Sequence, residues 1–376
     1  MGGITDQPSH AAICDSVRKV PDGSISRKAG KQAVKAAIEE PQSGSKKSCC
    51  NAKIGLANDK VDVGRSGRTG PVPLPIETHR AMSQMQDEFD PPFEILEPNE
   101  WRGPVAFNSP HSGNVYPRAF LVATRLDIQT LRRSEDCFVD QLVNGVVEHG
   151  FPLMRAHFPR CYIDVNREPY ELDPRMFDGR LPSFANTRSM RVAGGLGTVA
   201  RVVGDAQEIY DQRISVDDAL RRIENLYKPY HRTLRRLYTR LHREFGAAML
   251  IDCHSMPSST GAKDERPRAD VVLGDRYGTS CVPAISEMIE ETLRDFGLTV
   301  SRNKPYAGGF ITEHYGNPSA GLHAIQLEIN RALYMDERTF EPNRGFARLA
   351  GHLVTLAGRL GAIPIEELRP YRAAAE

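Results

Sequence analysis

A surplus of charge of either sign is what this 376-residue chain lacks: 49 Lys and Arg stand against 48 Asp and Glu, a formal net charge of +1. So even a balance argues against a protein whose main task is to coat nucleic acid or an anionic membrane. Cysteine is sparse and odd in number, at seven residues. Cys49 and Cys50 are adjacent and no C-x-x-C pair exists. Neither a disulfide scaffold nor a cysteine zinc finger is expected, and a reducing, cytoplasmic setting fits best. No apolar run approaches the roughly 18–20 residues of a membrane-spanning helix. The opening MGGITDQPSH has no charged-then-apolar secretory layout. G-x-S-x-G, G-x-x-x-x-G-K-[ST] and H-E-x-x-H are all absent, which disfavours a nucleophile-elbow hydrolase, a P-loop enzyme and a zincin. Gly195-Leu-Gly197-Thr-Val-Ala200 matches a dinucleotide pattern only loosely. No convincing first strand precedes it, so it reads as a flexible loop.

What is present changes character near residue 90. Before it, stretches such as PQSGSKKSCC and DVGRSGRTGPVPLP are rich in Gly, Ser, Pro and Lys. Such a segment cannot bury enough apolar surface to offset its ordering entropy. Residues 1–88 are therefore expected to be a disordered, mildly basic tail with a fleeting helix around Lys31–Glu40. Residues 89–376 are expected to be one catalytic domain.

Within that domain, Pro104–Asn108, Phe151–Arg155, Cys161–Val165, Ala247–Cys253, Val271–Leu273, Leu298–Ser301 and Ala324–Ile329 read as strands. Helical spacing runs over Glu135–His149, Val216–Phe245, Pro283–Phe296 and Gly345–Leu360. Strands alternating with helices predict an α/β fold: a mixed, mostly parallel central sheet flanked by helices on both faces.

Open α/β sheets bind ligands beyond the carboxyl ends of their strands. His111 follows the strand Pro104–Asn108 in a Pro- and Gly-rich turn. His254 ends a strongly apolar strand, with Asp252 two residues back to orient its ring. Glu328 stands in the apolar run Ala324–Ile329, on one face with Gln326 and Asn330. A half-buried Glu of this kind is a candidate general base. Two histidines closing different strands suggest a metal, and a carboxylate should complete the set. Glu135 and Asp136 open the helical pattern that follows His111, where helix capping is the competing role. Arg160, Asn166 and Arg167 bracket a short apolar run, and Arg forks suit a substrate carboxylate. His323, five residues before Glu328, is a further substrate-contact candidate.

These segments together resemble the N-formylglutamate amidohydrolase family. The matching pieces are SPHSG at Ser109–Gly113, SEDCFVDQL at Ser134–Leu142, PRCYIDVNREPYELDP at Pro159–Pro174, LIDCHSMP at Leu250–Pro257, DVVLGDRYGTSC at Asp270–Cys281 and the long run from Asn303 to Glu337. The resemblance covers nearly all of residues 100–360 and none of the tail. It implies a fold similar to that of zinc carboxypeptidases, with His111, His254 and an acid holding Zn²⁺. Asp136 is preferred as that acid, with Glu135 as the alternative. The same donors suit Mn²⁺, Fe²⁺ or Co²⁺. The resemblance further implies Glu328 as base, Arg160 as oxyanion or carboxylate contact, and Asn166 with Arg167 holding the substrate carboxylate. The expected reaction is hydrolysis of N-formyl-L-glutamate to formate and L-glutamate, in histidine degradation. The expected partner is a small anionic N-acyl amino acid, with no nucleic acid and no membrane. The alternative is a metallo-amidase or carboxypeptidase acting on another N-acyl amino acid or a peptide.

Overall fold

The computed structural model describes residues 88–370, apart from 205 and 260–267. The tail expected over residues 1–88, with its short helix, lies outside the described residues except for Glu88. Among the described residues no helix is long and apolar enough to cross a membrane.

Seven strands form one mixed sheet: β1 (Phe93–Leu96), β2 (Val105–Ser109), β3 (Leu153–Ala156), β4 (Ala248–Met256), β5 (Val271–Gly274), β6 (Val300–Arg302) and β7 (Leu322–Asn330). Their spatial order is β1-β3-β2-β4-β7-β5-β6. The four neighbours β3, β2, β4 and β7 run parallel, as does the β5–β6 pair. β1 joins β3 antiparallel, and β5 joins β7 antiparallel. The mostly parallel sheet is therefore as expected; edge strand β1 is an addition that its weak apolar pattern did not announce.

Alternate residues of each central strand face opposite ways. Val105, Phe107, Met249, Ile251, Ile325 and Leu327 share one core with helices α1 (Val139–Val143), α3 (Pro283–Asp295) and α4 (Phe346–Gly361). Ala106, Leu250 and Ala324 share the other with the long helix α2 (Lys228–Phe245). Each fully buried Leu, Ile or Val contributes about 1.5–3 kcal/mol. The Ala106 face stays apolar only for the first half of each strand. Further along it carries Asn108, Asp252, His254, Gln326 and Glu328, all buried. The β4–β7 register sets Glu328 directly beside His254.

Two local expectations are corrected. Cys161–Val165 is a buried turn, not a strand. Its backbone is satisfied without a ladder, because Tyr162 N–H bonds Pro159 O and Asp164 N–H bonds Thr198 O. The helical pattern over Glu135–His149 becomes regular helix only from Val139. Phe138 adopts left-handed backbone, φ 64°, which an α-helix cannot continue through. Glu135 and Asp136 consequently sit in a turn rather than at a helix start.

The turn after β2 is pressed against another chain segment. A Cβ on Gly113 would lie 2.2 Å from the Phe158 carbonyl oxygen. Gly113→Ala is expected to cost about 1–3 kcal/mol through overpacking, read as a lowered urea midpoint; an unchanged midpoint would show that this contact yields freely.

Candidate active site

The polar halves of the central strands open onto a cavity of about 570 Å³, lined by His111, Arg160, Asp164, Asn166, Arg167, His254, Glu328 and Arg331 among others. Residues expected at the site from four separate segments thus meet here. His323 is the exception. Its Nε2 bonds the Leu368 carbonyl at 2.8 Å, at the starting end of β7. It lies away from the cavity.

His111, Asp136 and His254 form a buried cluster whose ligand-type atoms all lie within 4.8 Å of one another. Asp136 Oδ2 is 3.4 Å from His111 Nδ1 and 3.0 Å from His254 Nδ1. Its other oxygen accepts the Ser255 hydroxyl at 3.1 Å and lies 3.5 Å from Arg331 Nη2. Glu135 points elsewhere, to the Tyr116 hydroxyl at 2.5 Å and the Cys137 thiol at 3.1 Å. Of the two neighbouring acids the geometry therefore selects Asp136 for the cluster.

Each histidine has a second carboxylate behind it. His111 Nε2 lies 2.7 Å from Asp164 Oδ1, and His254 Nε2 lies 2.9 Å from Asp252 Oδ2. A carboxylate only accepts, so both Nε2 atoms carry hydrogen and, in the neutral rings, the Nδ1 lone pairs face Asp136. His111 Nδ1 has no hydrogen-bond partner although it is buried. An orphaned imidazole nitrogen beside a carboxylate and a second imidazole fits a divalent metal ion, with Asp164 and Asp252 orienting the rings.

The electrostatics are those of a site prepared for positive charge. Burial alone would raise the Asp136 and Asp164 carboxyls. The His111 and His254 rings beside it outweigh burial at Asp136, holding that group well below the ordinary range. His111, Arg167 and Arg160 do the same for Asp164. Burial would lower the His254 ring, but Asp252 and Asp136 drive it well upward.

Glu328 behaves oppositely. Burial pushes its carboxyl up to about 7; His254 opposes the rise and Asp136 adds to it. Its Oε1 accepts Gln326 Nε2 at 2.6 Å, and Gln326 Oε1 accepts the Gly309 N–H at 2.7 Å. The base candidate is thereby tied to the loop that closes one side of the cavity. That loop needs glycine, since a Cβ on Gly309 would sit 2.4 Å from the Asn166 side chain. Asn166 Oδ1 accepts the Ile311 N–H at 2.8 Å, and its amide nitrogen lies 3.2 Å from His254 Nε2. Arg160 Nη2 pairs with Asp164 Oδ2 at 2.8 Å and stays 26% exposed on the cavity wall. Arg167 donates to the Leu196 and Asn166 carbonyls.

Two residues that sequence reasoning missed belong to this arrangement. Asp164 interrupts an apolar run much as Glu328 does, and the same reasoning would have found it. Arg331 immediately follows β7, bonding Ser255 Oγ at 3.0 Å and the Arg133 and Glu135 carbonyls. It braces the turn that delivers Asp136.

Comparison with known proteins gives consistent findings. A family model described as N-formylglutamate amidohydrolase matches residues 103–335. An N-formylglutamate deformylase of Pseudomonas aeruginosa is 30% identical over 248 residues, 65% of this chain and 87% of its own length. One from Pseudomonas putida is 28% identical over 247 residues, 65% of this chain and 86% of its own. The crystal structure of an N-formylglutamate amidohydrolase from Ralstonia eutropha JMP134 is 37% identical with a TM-score of 0.68, over 72% of this chain and 97% of that one.

The cluster makes a direct prediction. His254→Ala removes one of three donors, and metal analysis after gel filtration is expected to find the variant largely metal-free. Full stoichiometric occupancy in that variant would remove His254 from the ligand set.

Proposed function

This chain belongs to the N-formylglutamate amidohydrolase family, and from that premise we propose that it is a metal-dependent hydrolase cleaving N-formyl-L-glutamate to formate and L-glutamate. The observation that carries the reading is the orphaned His111 Nδ1 within the His111, Asp136, His254 cluster, with Glu328 alongside on β7. Those three residues would hold the ion, zinc by preference, with manganese, iron or cobalt suited to the same donors. A bound divalent ion supplies Lewis acidity, polarising the formyl carbonyl and bringing the pKa of a water toward neutrality.

The chain's own residues do the rest. Glu328 takes a proton from the attacking water and delivers it to the departing amine nitrogen. Its raised affinity for protons suits both halves of that task. Arg160 faces the developing oxyanion or a substrate carboxylate, as a guanidinium on the wall of a largely buried site. Arg167, with Asn166 beside it, is assigned to a glutamate carboxylate and fixes the register of the scissile amide. A place in histidine degradation follows from the substrate. The four free, buried cysteines among the described residues accord with a reducing, cytoplasmic setting.

A second reading keeps the chemistry and enlarges the substrate. The 570 Å³ cavity lies within the range of about 300–1,000 Å³ that takes drug-sized ligands, so a longer N-acyl amino acid or a short peptide is the alternative. Formate release from N-formyl-L-glutamate, measured with and without chelator and with zinc added back, decides between them. Rapid chelator-sensitive release is expected. A flat signal from metal-loaded protein would move the substrate to a larger acyl group.

Glu328→Gln is expected to retain its metal and lose roughly 10²–10⁴ in turnover. Because the base must be deprotonated, kcat/KM should rise with pH through an acid limb. That limb should lie at or below about 7, since a nearby cation draws a carboxyl down. It should vanish in the variant. Near-parental turnover in Glu328→Gln would reject the assigned base.

A further inference from the structure

Tyr230 is a fully buried tyrosine in the first half of α2. Phe93 and Phe158 meet its ring edge-on, with centroids 5.4 and 6.0 Å away. A hydroxyl in such surroundings is costly unless it is hydrogen-bonded. It bonds Asn108 Oδ1 on β2 at 2.5 Å. Asn108, itself fully buried, donates Nδ2 to Asp252 Oδ1 on β4 at 2.7 Å. The other Asp252 oxygen takes the His254 Nε2 hydrogen at 2.9 Å.

The polarity of this series leaves no choice. Asp252 only accepts, so Asn108 must turn its NH₂ toward it and its carbonyl oxygen toward Tyr230. Tyr230 must then donate. We propose that Tyr230 is a positioning residue for the metal centre: through Asn108 it fixes the Asp252 carboxylate, and thereby the ring plane and tautomer of His254. The inference rests on the metal reading above.

The neighbouring residue supports the same role for this turn of α2. His231 Nε2 donates to the Val165 carbonyl at 2.8 Å, and its Nδ1 lies 3.1 Å from the Tyr315 hydroxyl. Burial lowers its ring to about 4, which keeps it neutral with one donor and one acceptor. Val165 stands between Asp164, behind His111, and Asn166, beside His254. Two adjacent helix residues therefore brace the carboxylates behind both site histidines.

A matched control lies two turns along the helix. Tyr238 is also buried on α2, but its hydroxyl bonds the Ala248 and His323 carbonyls, at the starting ends of β4 and β7. The experiment measures zinc affinity of the full chain by competition with a chromogenic chelator, with melting temperature alongside. Tyr230→Phe is expected to weaken zinc binding about tenfold, at the low end of the usual effect of outer partners of metal ligands, and to lower kcat more than it raises KM. Tyr238→Phe is expected to lower the melting temperature while keeping parental zinc affinity. Asn108→Leu, the next link, provides a second variant should Tyr230→Phe fold poorly. It should weaken zinc at least as much, and adding Tyr230→Phe to it should cost little more. Parental zinc affinity in Tyr230→Phe, or in Asn108→Leu if that variant replaces it, or equal losses in the Tyr230 and Tyr238 variants, overturns the proposal while leaving the metal reading intact. Failure of the unsubstituted chain to bind zinc overturns both.

Discussion

A carboxylate accepts hydrogen bonds and cannot donate them, and two buried carboxylates use that limit to organise this site. Asp164 and Asp252 force hydrogen onto the outer nitrogens of His111 and His254. The inner nitrogens are then left to converge on Asp136. Buried charge on this scale is tolerable only when it is paired and hydrogen-bonded. The guanidiniums of Arg160 and Arg331 and the amide of Asn108 meet that requirement from different elements.

The strands supply the stage by changing character along their length. Ala106, Leu250 and Ala324 bury apolar surface against α2, and two residues on, the same face turns to Asn108, Asp252 and Gln326. A parallel arrangement brings all of these polar ends to one edge of the sheet. Glu328 differs from the other acids because its immediate bonding partner is a neutral amide. Desolvation therefore dominates there, whereas nearby cations dominate at Asp164. Carboxyls of similar chemistry are driven in opposite directions by their neighbours.

How much of this could be read from residues alone follows from the kind of signal each residue left. His111, His254 and Glu328 were legible because each interrupts or ends an apolar strand. The α/β architecture was legible through alternating periodicities. Asp136 stayed entangled with Glu135, since a capping acid and a ligating acid look alike until a left-handed Phe138 detaches the turn from the helix. Cys161–Val165 misled because a buried apolar run does not announce whether its backbone is paired in a ladder or within a turn. His323 is separated from Glu328 by an odd number of positions on one strand. Strand alternation puts such residues on opposite faces, about 17 Å apart at roughly 3.3 Å per residue. Arg331 left little trace, because its partners are chiefly carbonyls of a remote turn.

The sheet order has a consequence for the order of events during synthesis. β4, which carries His254, lies between β2 and β7, yet β7 is made some seventy residues later. Until then β4 has a neighbour on one side only, and the face bearing His254 and Asp252 lacks the strand that completes it. Residues 111, 136 and 254 are all made before Glu328, but their settled geometry awaits the strand that carries it. On the metal reading proposed above, the three donors and Glu328 would reach their final arrangement nearly as one event, late in the emergence of the chain.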